Sequence, residues 1–319
     1  MKKKIKKIIV TGGCGFIGSH LVDKLLEKKF IVLNIDSLTY ASVKRNFKNK
    51  NYSFLKSEIQ NKKISNKIRQ FNPDIIINCA AESHVDRSIS NPSKFLESNI
   101  FGTFNLLEII RKTNNKIIFY QISTDEVFGS LNISENKFSE TSNYSPKSPY
   151  SASKASADHL VRSYANTYKL KYLISNCSNN YGTRQNYEKF IPTIILSCLK
   201  KKKIPIYGKG NNIRDWISVH DHVNAIIKIF ESERLNQTYL IGSNNEISNL
   251  VLVKTICNYF NKNYQNFNYN NLIKFVPDRK GHDFRYAINN KKILKELKWK
   301  PIHNLNRDLP ELIEYYKKT

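Results

Sequence analysis

Ser123-Thr124-Asp125-Glu126 sets two carboxyl groups beside two hydroxyls at the end of an apolar run, Ile117-Ile118-Phe119-Tyr120-Gln121-Ile122. Downstream, Tyr150 and Lys154 stand one helical turn apart, so a phenol and an ammonium share one face of a helix that opens at Pro149. A free tyrosine has a pKa of about 10 and is a poor base at neutral pH, but a neighbouring positive charge favours its phenolate. Such a phenolate can take a hydroxyl proton while a hydride leaves the same carbon. Adjacent carboxyls can then act as acid and base in an elimination, provided their surroundings drive their pKa values apart.

The elements that would carry these groups alternate from the start of the chain. Ile8-Ile9-Val10, Ile31 to Ile35, Tyr52 to Leu55, Asp74 to Asn78, the run ending at Ile122, and Tyr172-Leu173-Ile174 read as strands. Helical patterns lie between most of them, over Ser19 to Lys29, Ile64 to Phe71, Lys94 to Lys112 and Pro149 to Lys169. This alternation predicts an α/β fold with a doubly wound parallel sheet, its short apolar strands covered on both faces. After Asn176 the pattern loosens. Turn-rich segments at Ser178 to Glu188, Tyr207 to Asn212 and Gly242 to Asn245 interleave with helices at Ile191 to Lys202 and Val219 to Glu231. Residues 1–176 are therefore expected to form a nucleotide-binding domain. Residues 177–319 would form a smaller substrate-binding portion, with the chain returning to the sheet around 217–242, near Tyr239-Leu240-Ile241.

Thr11-Gly12-Gly13-Cys14-Gly15-Phe16-Ile17-Gly18 follows the first strand and opens the first helix. Gly12, Gly15 and Gly18 permit a tight turn and close approach of a pyrophosphate to the helix N-terminus. Asp36 closes the second strand about twenty residues on, where an acid binds ribose hydroxyls and repels a 2′-phosphate. The combination predicts NAD rather than NADP. A bound nicotinamide cation would then add to Lys154 in favouring the Tyr150 phenolate.

Lys and Arg number 52 against 26 Asp and Glu, a net charge of +26 that invites a nucleic-acid reading. No helix-turn-helix, zinc or RNA-reading motif accompanies the lysines, so a solvated basic surface that steers anionic nucleotides is the better account. Cys14, Cys79, Cys177, Cys198 and Cys257 form no CxxC pair, which argues against a metal site or disulfide framework. The basic start, Met1 to Lys7, leads straight into a strand, and no apolar run approaches a membrane span. Free thiols without an export signal predict a cytoplasmic protein.

Taken together, Asp36-Ser-Leu-Thr-Tyr-Ala41, Ala80-Ala-Glu-Ser-His-Val-Asp-Arg-Ser-Ile89, Ser123-Thr-Asp-Glu-Val-Phe-Gly129 and Ser148-Pro-Tyr-Ser-Ala-Ser-Lys154 resemble the extended short-chain dehydrogenase/reductase superfamily, and within it the dTDP-glucose 4,6-dehydratase family. The likeness continues in Cys177 to Gly182, Tyr207 to Gly210, Arg214-Asp-Trp216 and Asp278 to Asp283. It implies that NAD oxidises carbon 4 of a nucleotide-bound glucose, that water is lost across carbons 5 and 6, and that the hydride returns to carbon 6. In that scheme Tyr150 is the base at the carbon 4 hydroxyl, Lys154 holds the nicotinamide ribose, Asp125 is the general acid, Glu126 the general base, and Thr124 orients the sugar.

The resemblance also implies a cofactor set of Gly12, Gly15, Phe16, Ile17, Gly18, Asp36, Ser37, Leu38, Thr39, Glu58, Ile59, Ala80, Ala81, Ser83, Ser98, Tyr150, Lys154 and Asn180. Around the sugar nucleotide it implies Ser83, Thr124, Asn179, Lys189, Phe190, Pro205, Tyr207, Arg214, Asn249, Arg279 and His282. Glu58 stands where the family usually has an Asp for the adenine amino group. Thr183-Arg184 interrupts a usual Gly-Pro, and the loop after Tyr40 is shorter than in many relatives. Related implications are a homodimer built on the helices Lys94 to Lys112 and Pro149 to Lys169, and a downstream deoxysugar such as rhamnose. Thymidine and uridine nucleotides both remain open. Rival readings are an epimerase or decarboxylase on the same scaffold, which the Asp-Glu pair disfavours, and a catalytically silent NAD-binding protein that holds nucleic acid.

Overall fold

The computed structural model describes residues 5–43, 48–264 and 266–319. The basic segment Met1 to Lys4 and part of the loop after Tyr40 lie outside the described residues. Ile8, Ile9 and Val10 lie in β1 (Lys7–Thr11), and the glycine loop passes directly into α1 (Phe16–Glu27). There follow β2 (Ile31–Asp36), β3 (Tyr52–Lys56), α2 (Ile64–Phe71), β4 (Ile75–Asn78) and α3 (Val85–Ser90). One turn, α4 (Ser93–Phe95), runs through wider π-type turns at Leu96–Phe101 into α5 (Gly102–Thr113). Then come β5 (Ile118–Thr124), α6 (Pro149–Tyr168) and β6 (Lys171–Cys177). The helix expected from Ser19 begins three residues earlier because Gly15, extended at φ −75°, serves as its N-cap. It stops short of Lys29, which adopts φ 63°.

Beyond β6 the chain forms β7 (Asn179–Tyr181), α7 (Phe190–Leu199), β8 (Ile204–Tyr207), β9 (Ile213–Ser218), α8 (Val219–Glu231) and β10 (Gln237–Ile241). It ends with β11 (Glu246–Ser248), α9 (Asn249–Asn263), β12 (Ile273–Val276), α10 (Lys291–Leu297) and α11 (Leu305–Lys317). Seven strands pair in the order β10-β6-β5-β4-β1-β2-β3, every pairing parallel. The expected return near Tyr239 is β10, which closes the sheet beside β6. Strands β7, β9 and β11 make a separate three-stranded sheet, and β8 pairs with β12.

Alternation along the strands divides two cores. Ile8, Val10, Ile75 and Ile77 face α1 and α8, where Leu21, Leu25 and Ile226 are fully buried. Ile9, Leu33, Ile76 and Phe119 face the other way, onto Ile68 of α2, Leu106 and Ile110 of α5, and Val161 of α6. Period-two side chains on a parallel sheet covered on both faces require apolar residues at consecutive positions, which is why these strands read as unbroken hydrophobic runs. A third core joins α7, α9 and α11 through Ile194, Cys198, Ile256, Phe260, Leu309 and Ile313.

A ladder of buried polar side chains ties the carboxyl ends of β1, β4 and β5. Thr11 Oγ1 donates to Asn78 Oδ1 at 2.6 Å, and Asn78 Nδ2 donates to Gln121 Oε1 at 2.9 Å. With both partners buried, each bond is electrostatically strong and fixes the strand ends on which the site stands.

Candidate active site

A cavity of about 690 Å³ opens at the carboxyl ends of the strands and includes the point where the chain order reverses between β1 and β4. Doubly wound sheets bind ligands there. Of the residues singled out above, all but Asp125 and Leu38 line it.

At the dinucleotide end, Gly12 adopts φ 68°, and a Cβ there would sit 2.7 Å from the Ala80 backbone. A Cβ on Gly18 would lie 2.1 Å from the Gly12 carbonyl oxygen, so only glycine lets α1 start this close to β1. No side chain caps the N-terminus of α1, which leaves its amides and dipole to an anion. Asp36 is buried at the end of β2, where its carboxylate accepts from the Cys14 amide at 2.9 Å and the Leu38 amide at 2.8 Å. Those bonds orient the carboxylate at the rim. This cradle, with the acid beside it, fits NAD: Gly12 to Gly18 would hold the pyrophosphate and Asp36 the ribose. Glu58 is exposed on the cavity edge, and Asn105 donates to the neighbouring Ile59 carbonyl at 2.7 Å, which fixes that segment.

Leu38 is a correction. Its φ of 58° turns the backbone left-handed, its side chain is 43% exposed, and it lies off the cavity wall. What it supplies is the amide that holds Asp36.

At the chemical end, Thr124 ends β5 and caps a single tight turn, Asp125–Phe128, by accepting from the Glu126 amide. The turn aims Glu126 into the cavity and tucks Asp125 behind the wall, 1% exposed, with Oδ2 lacking a hydrogen-bond partner among the described residues. Burial, then the Glu126 charge, push the Asp125 carboxyl well above the ordinary range. Glu126 is raised by burial too, but Arg279, Arg214 and Lys189 all pull it back down. Both carboxyls are thus raised, Asp125 the more strongly, so the pair is unequal: Asp125 is the better placed to keep a proton and Glu126, facing three cations, the better placed to lose one.

Helix α6 delivers Tyr150 and Lys154. Ser148 and Ser151 close a capping box at its start, so the helix entry is set by reciprocal hydrogen bonds. Lys154 is 3% exposed and donates from Nζ to the Ile122 carbonyl at 2.7 Å. Burial, then the Glu126 charge, raise the Tyr150 phenol well above its ordinary value, against a hydrogen bond with Thr124 that lowers it. The phenolate expected from the Tyr-Lys spacing is therefore not favoured by the protein's own residues. Lys154 gives one of its three donors to a backbone carbonyl and keeps its charge one helical turn away, to which a bound nicotinamide would add a second positive charge.

At the far end Phe190 and Trp216 stack, with centroids 6.4 Å apart and planes 25° apart. Arg214 lies 4.2 Å over the Tyr286 ring and donates to the Asp283 and Phe284 carbonyls. His282 bonds Asp278 at 2.6 Å, and burial lowers its pKa, so it meets a ligand as a neutral ring. Asn179, Asn180, Pro205 and Asn249 complete this wall.

Several further lining residues escaped sequence reading, and four of them meet at the mouth. Tyr40, His84, Asp86 and Glu188 connect the two sides of the cavity mouth. Tyr40 donates to Glu188 at 2.7 Å, Arg87 donates to Glu188 at 2.9 Å, and the Arg87 guanidinium sits 3.9 Å over the Tyr40 ring. Asp86 accepts from Tyr207 at 3.3 Å and lies 3.6 Å from Arg279. His84, Asp86 and Arg87 fall inside the Ala80 to Ile89 string, and their charges were the available signal. Tyr40 and Glu188 are 148 residues apart, with no shared pattern to join them. Glu188→Ala breaks this clasp, and NAD should leave roughly fivefold faster, since a half-exposed pair contributes about 1 kcal/mol. Exchange of bound against labelled NAD measures it, and an unchanged rate refutes the clasp's role.

The family profile described as GDP-mannose 4,6 dehydratase matches residues 9–311. A dTDP-glucose 4,6-dehydratase of Neisseria gonorrhoeae is 43% identical over 330 residues, covering 98% of this chain and 95% of its own. In structure the chain is similar to the dTDP-glucose 4,6-dehydratase of Bacillus anthracis in complex with NAD, at 39% identity and TM-score 0.88, covering 98% and 97% of the two chains. It is similar as well to DesIV of Streptomyces venezuelae, a dTDP-glucose 4,6-dehydratase with NAD bound, at 34% identity and TM-score 0.90 with the same coverage. A glycine cradle beside Asp36, a Tyr-Lys helix and Glu126 in one cavity, with Asp125 buried behind its wall, accord with these likenesses, and the chain belongs to the GDP-mannose 4,6-dehydratase family, alongside its dTDP-glucose 4,6-dehydratases.

Proposed function

We propose that the protein converts dTDP-glucose to the 4-keto-6-deoxy sugar nucleotide by an NAD-dependent loss of water. The observation that carries this reading is the unequal surroundings of two adjacent carboxyls, Glu126 on a wall shared with Tyr150 and Asp125 buried directly behind it. NAD, when bound, accepts a hydride from carbon 4 and later gives it to carbon 6. Tyr150 takes the proton of the carbon 4 hydroxyl, and the resulting ketone acidifies the hydrogen on carbon 5. Glu126 removes that hydrogen as a proton, while Asp125 protonates the hydroxyl departing from carbon 6. Glu126 exchanges that proton with solvent and then delivers a proton to carbon 5. Thr124 orients the hexose, and Lys189, Arg214 and Arg279 counter the diphosphate charge.

Gly12 to Lys154 would supply the cofactor half of the site, and Asn179 to His282 most of the sugar-nucleotide half. This corresponds to a nucleotide-binding domain over 1–176, rejoined by β10, and a substrate portion over 177–319. The named relatives act on a thymidine nucleotide, which favours dTDP-glucose over UDP-glucose. A homodimer through α5, α6 and the π-type turns before α5 is supported by the exposed Phe104 and Tyr168 on the helices and Leu96 and Phe101 on those turns. No helix among the described residues is long and apolar enough to cross a membrane, which is consistent with the proposed cytoplasmic location.

Turnover of dTDP-glucose and UDP-glucose in heavy water tests the assignment. The product should carry solvent deuterium at carbon 5 and none transferred with the hydride at carbon 6, with the higher kcat/KM for dTDP-glucose. An epimerised sugar that keeps its carbon 6 hydroxyl would make the protein an epimerase instead.

A further inference from the structure

Tyr150 and Lys154 continue along α6 as a longer stripe. Asp158 and Arg162 follow at the same four-residue interval, so phenol, ammonium, carboxylate and guanidinium succeed one another on one face. Asp158 is fully buried. Its Oδ2 accepts from the Ser123 hydroxyl at 2.7 Å, from Tyr144 at 2.9 Å and from Asn176 Nδ2 at 3.3 Å. Asn176 Nδ2 also donates to the Thr124 carbonyl at 3.1 Å, and Lys154 holds the Ile122 carbonyl. Three successive residues at the end of β5 are thereby gripped by Lys154, Asp158 and the Asn176 that Asp158 engages. The next two residues are Asp125 and Glu126.

We propose that Asp158 is a positioning residue for the reaction: its carboxylate fixes the strand end that aims Asp125 and Glu126, and it is the counter-charge that keeps the Lys154 ammonium protonated in a dry site. The proposal rests on the dehydratase reading for its first half only.

The charge argument runs through what faces Lys154. On its own helix there is Asp158; from β6 comes Cys177, and from the segment after β4 comes Cys79. Burial pushes both thiols up to about 12, so they are neutral at working pH and Asp158 is the carboxylate of the set. Burial lowers the Lys154 pKa and raises that of Asp158, and each charge opposes the effect on the other. Arg162 and Tyr144 sit on the far side of Asp158, where Arg162 donates to the Tyr144 oxygen at 2.9 Å. Asp158 Oδ1 has no hydrogen-bond partner among the described residues, so this carboxylate depends on the charges beside it.

Asp158→Asn keeps the shape and removes the charge. In single turnover of the holoenzyme, the appearance of reduced nicotinamide reports the Tyr150-Lys154 step alone. Its alkaline limb, where Lys154 loses its proton, should move to lower pH by about one unit. Overall kcat should fall about 10–100-fold with KM changed less than threefold. Ser123→Ala separates the two duties, because it cuts the grip on the strand end and leaves the charge in place. It should lower kcat about tenfold and leave the alkaline limb where it was. A wild-type limb in Asp158→Asn overturns the charge role, and a wild-type kcat in Ser123→Ala overturns the positioning role. If Asp158→Asn does not fold, Asp158→Glu takes its place: restored charge on a longer arm should keep the limb and lose rate, and a shifted limb refutes the proposal. An epimerised wild-type product would dispose of the dehydratase reading, while the nicotinamide readout would still decide the charge role.

Discussion

Glu126→Gln will lower conversion of dTDP-glucose to product by about 10²–10⁴-fold, the range expected when a general base is lost. Oxidation at carbon 4 should survive, because Tyr150 performs it, so a single turnover will accumulate reduced nicotinamide and a 4-keto glucose that keeps its carbon 6 hydroxyl. Exchange of the carbon 5 hydrogen with heavy water should slow by the same factor. A variant that dehydrates at the wild-type rate would remove Glu126 from the mechanism. In the wild type the same residue sets an acid limb. Glu126 must be ionised to act, and its carboxyl is raised by burial though partly restored by Arg279, Arg214 and Lys189. Dehydration should therefore decline as pH falls through a value above that of an ordinary glutamate. The alkaline counterpart for this step belongs to Asp125, whose much-raised carboxyl gives up its proton only well above the usual range.

Tyr150→Phe should be as damaging, and at an earlier point. Removing the phenol ends proton removal from the carbon 4 hydroxyl, so no reduced nicotinamide appears in single turnover and the overall rate drops about 10²–10⁴-fold. The two variants leave different species behind, and this separates them better than their rates do. Phe keeps the ring that packs edge-on against Phe95, with centroids 6.3 Å apart, so thermal stability should move by only about 1 kcal/mol or less through the lost hydrogen bond to Thr124. Reduced nicotinamide forming at the normal rate would exclude Tyr150 as the base.

Much of this site was legible because its groups repeat at short, regular intervals. Gly12, Gly15 and Gly18 answer to a turn and a helix start, Asp36 to the end of the next strand, and Tyr150 with Lys154 to one turn of helix. Leu38 entered the cofactor set through the family resemblance alone, and its left-handed backbone is a feature that no spacing in the sequence announces. Asp158 lies on the same stripe as Tyr150 and was passed over. Its partners, Ser123 and Asn176, come from two other strands, and only the folded sheet brings them together. The small sheets after Asn176 were unread because β7 and β11 are three residues long, too short for any period to register. Tyr40 and Glu188 show the limit most sharply, since a contact across 148 residues has no local signature.

Strand β10 has an implication for how the molecule is made. Five backbone pairings with β6 come from residues 237–241, and Trp299 and Leu297 pack into the same core as Ile8 and Val10. A nascent chain that has emerged only through residue 177 therefore presents β6 as an open edge, with one face of the sheet covered by α1 but still lacking α8. Exposed edges of that kind recruit strands from other molecules. The amino-terminal half is consequently not expected to stand as an excisable module. Fragments ending there should clump on expression, and the ribosome must deliver nearly the whole polypeptide before the cofactor cradle has a finished floor.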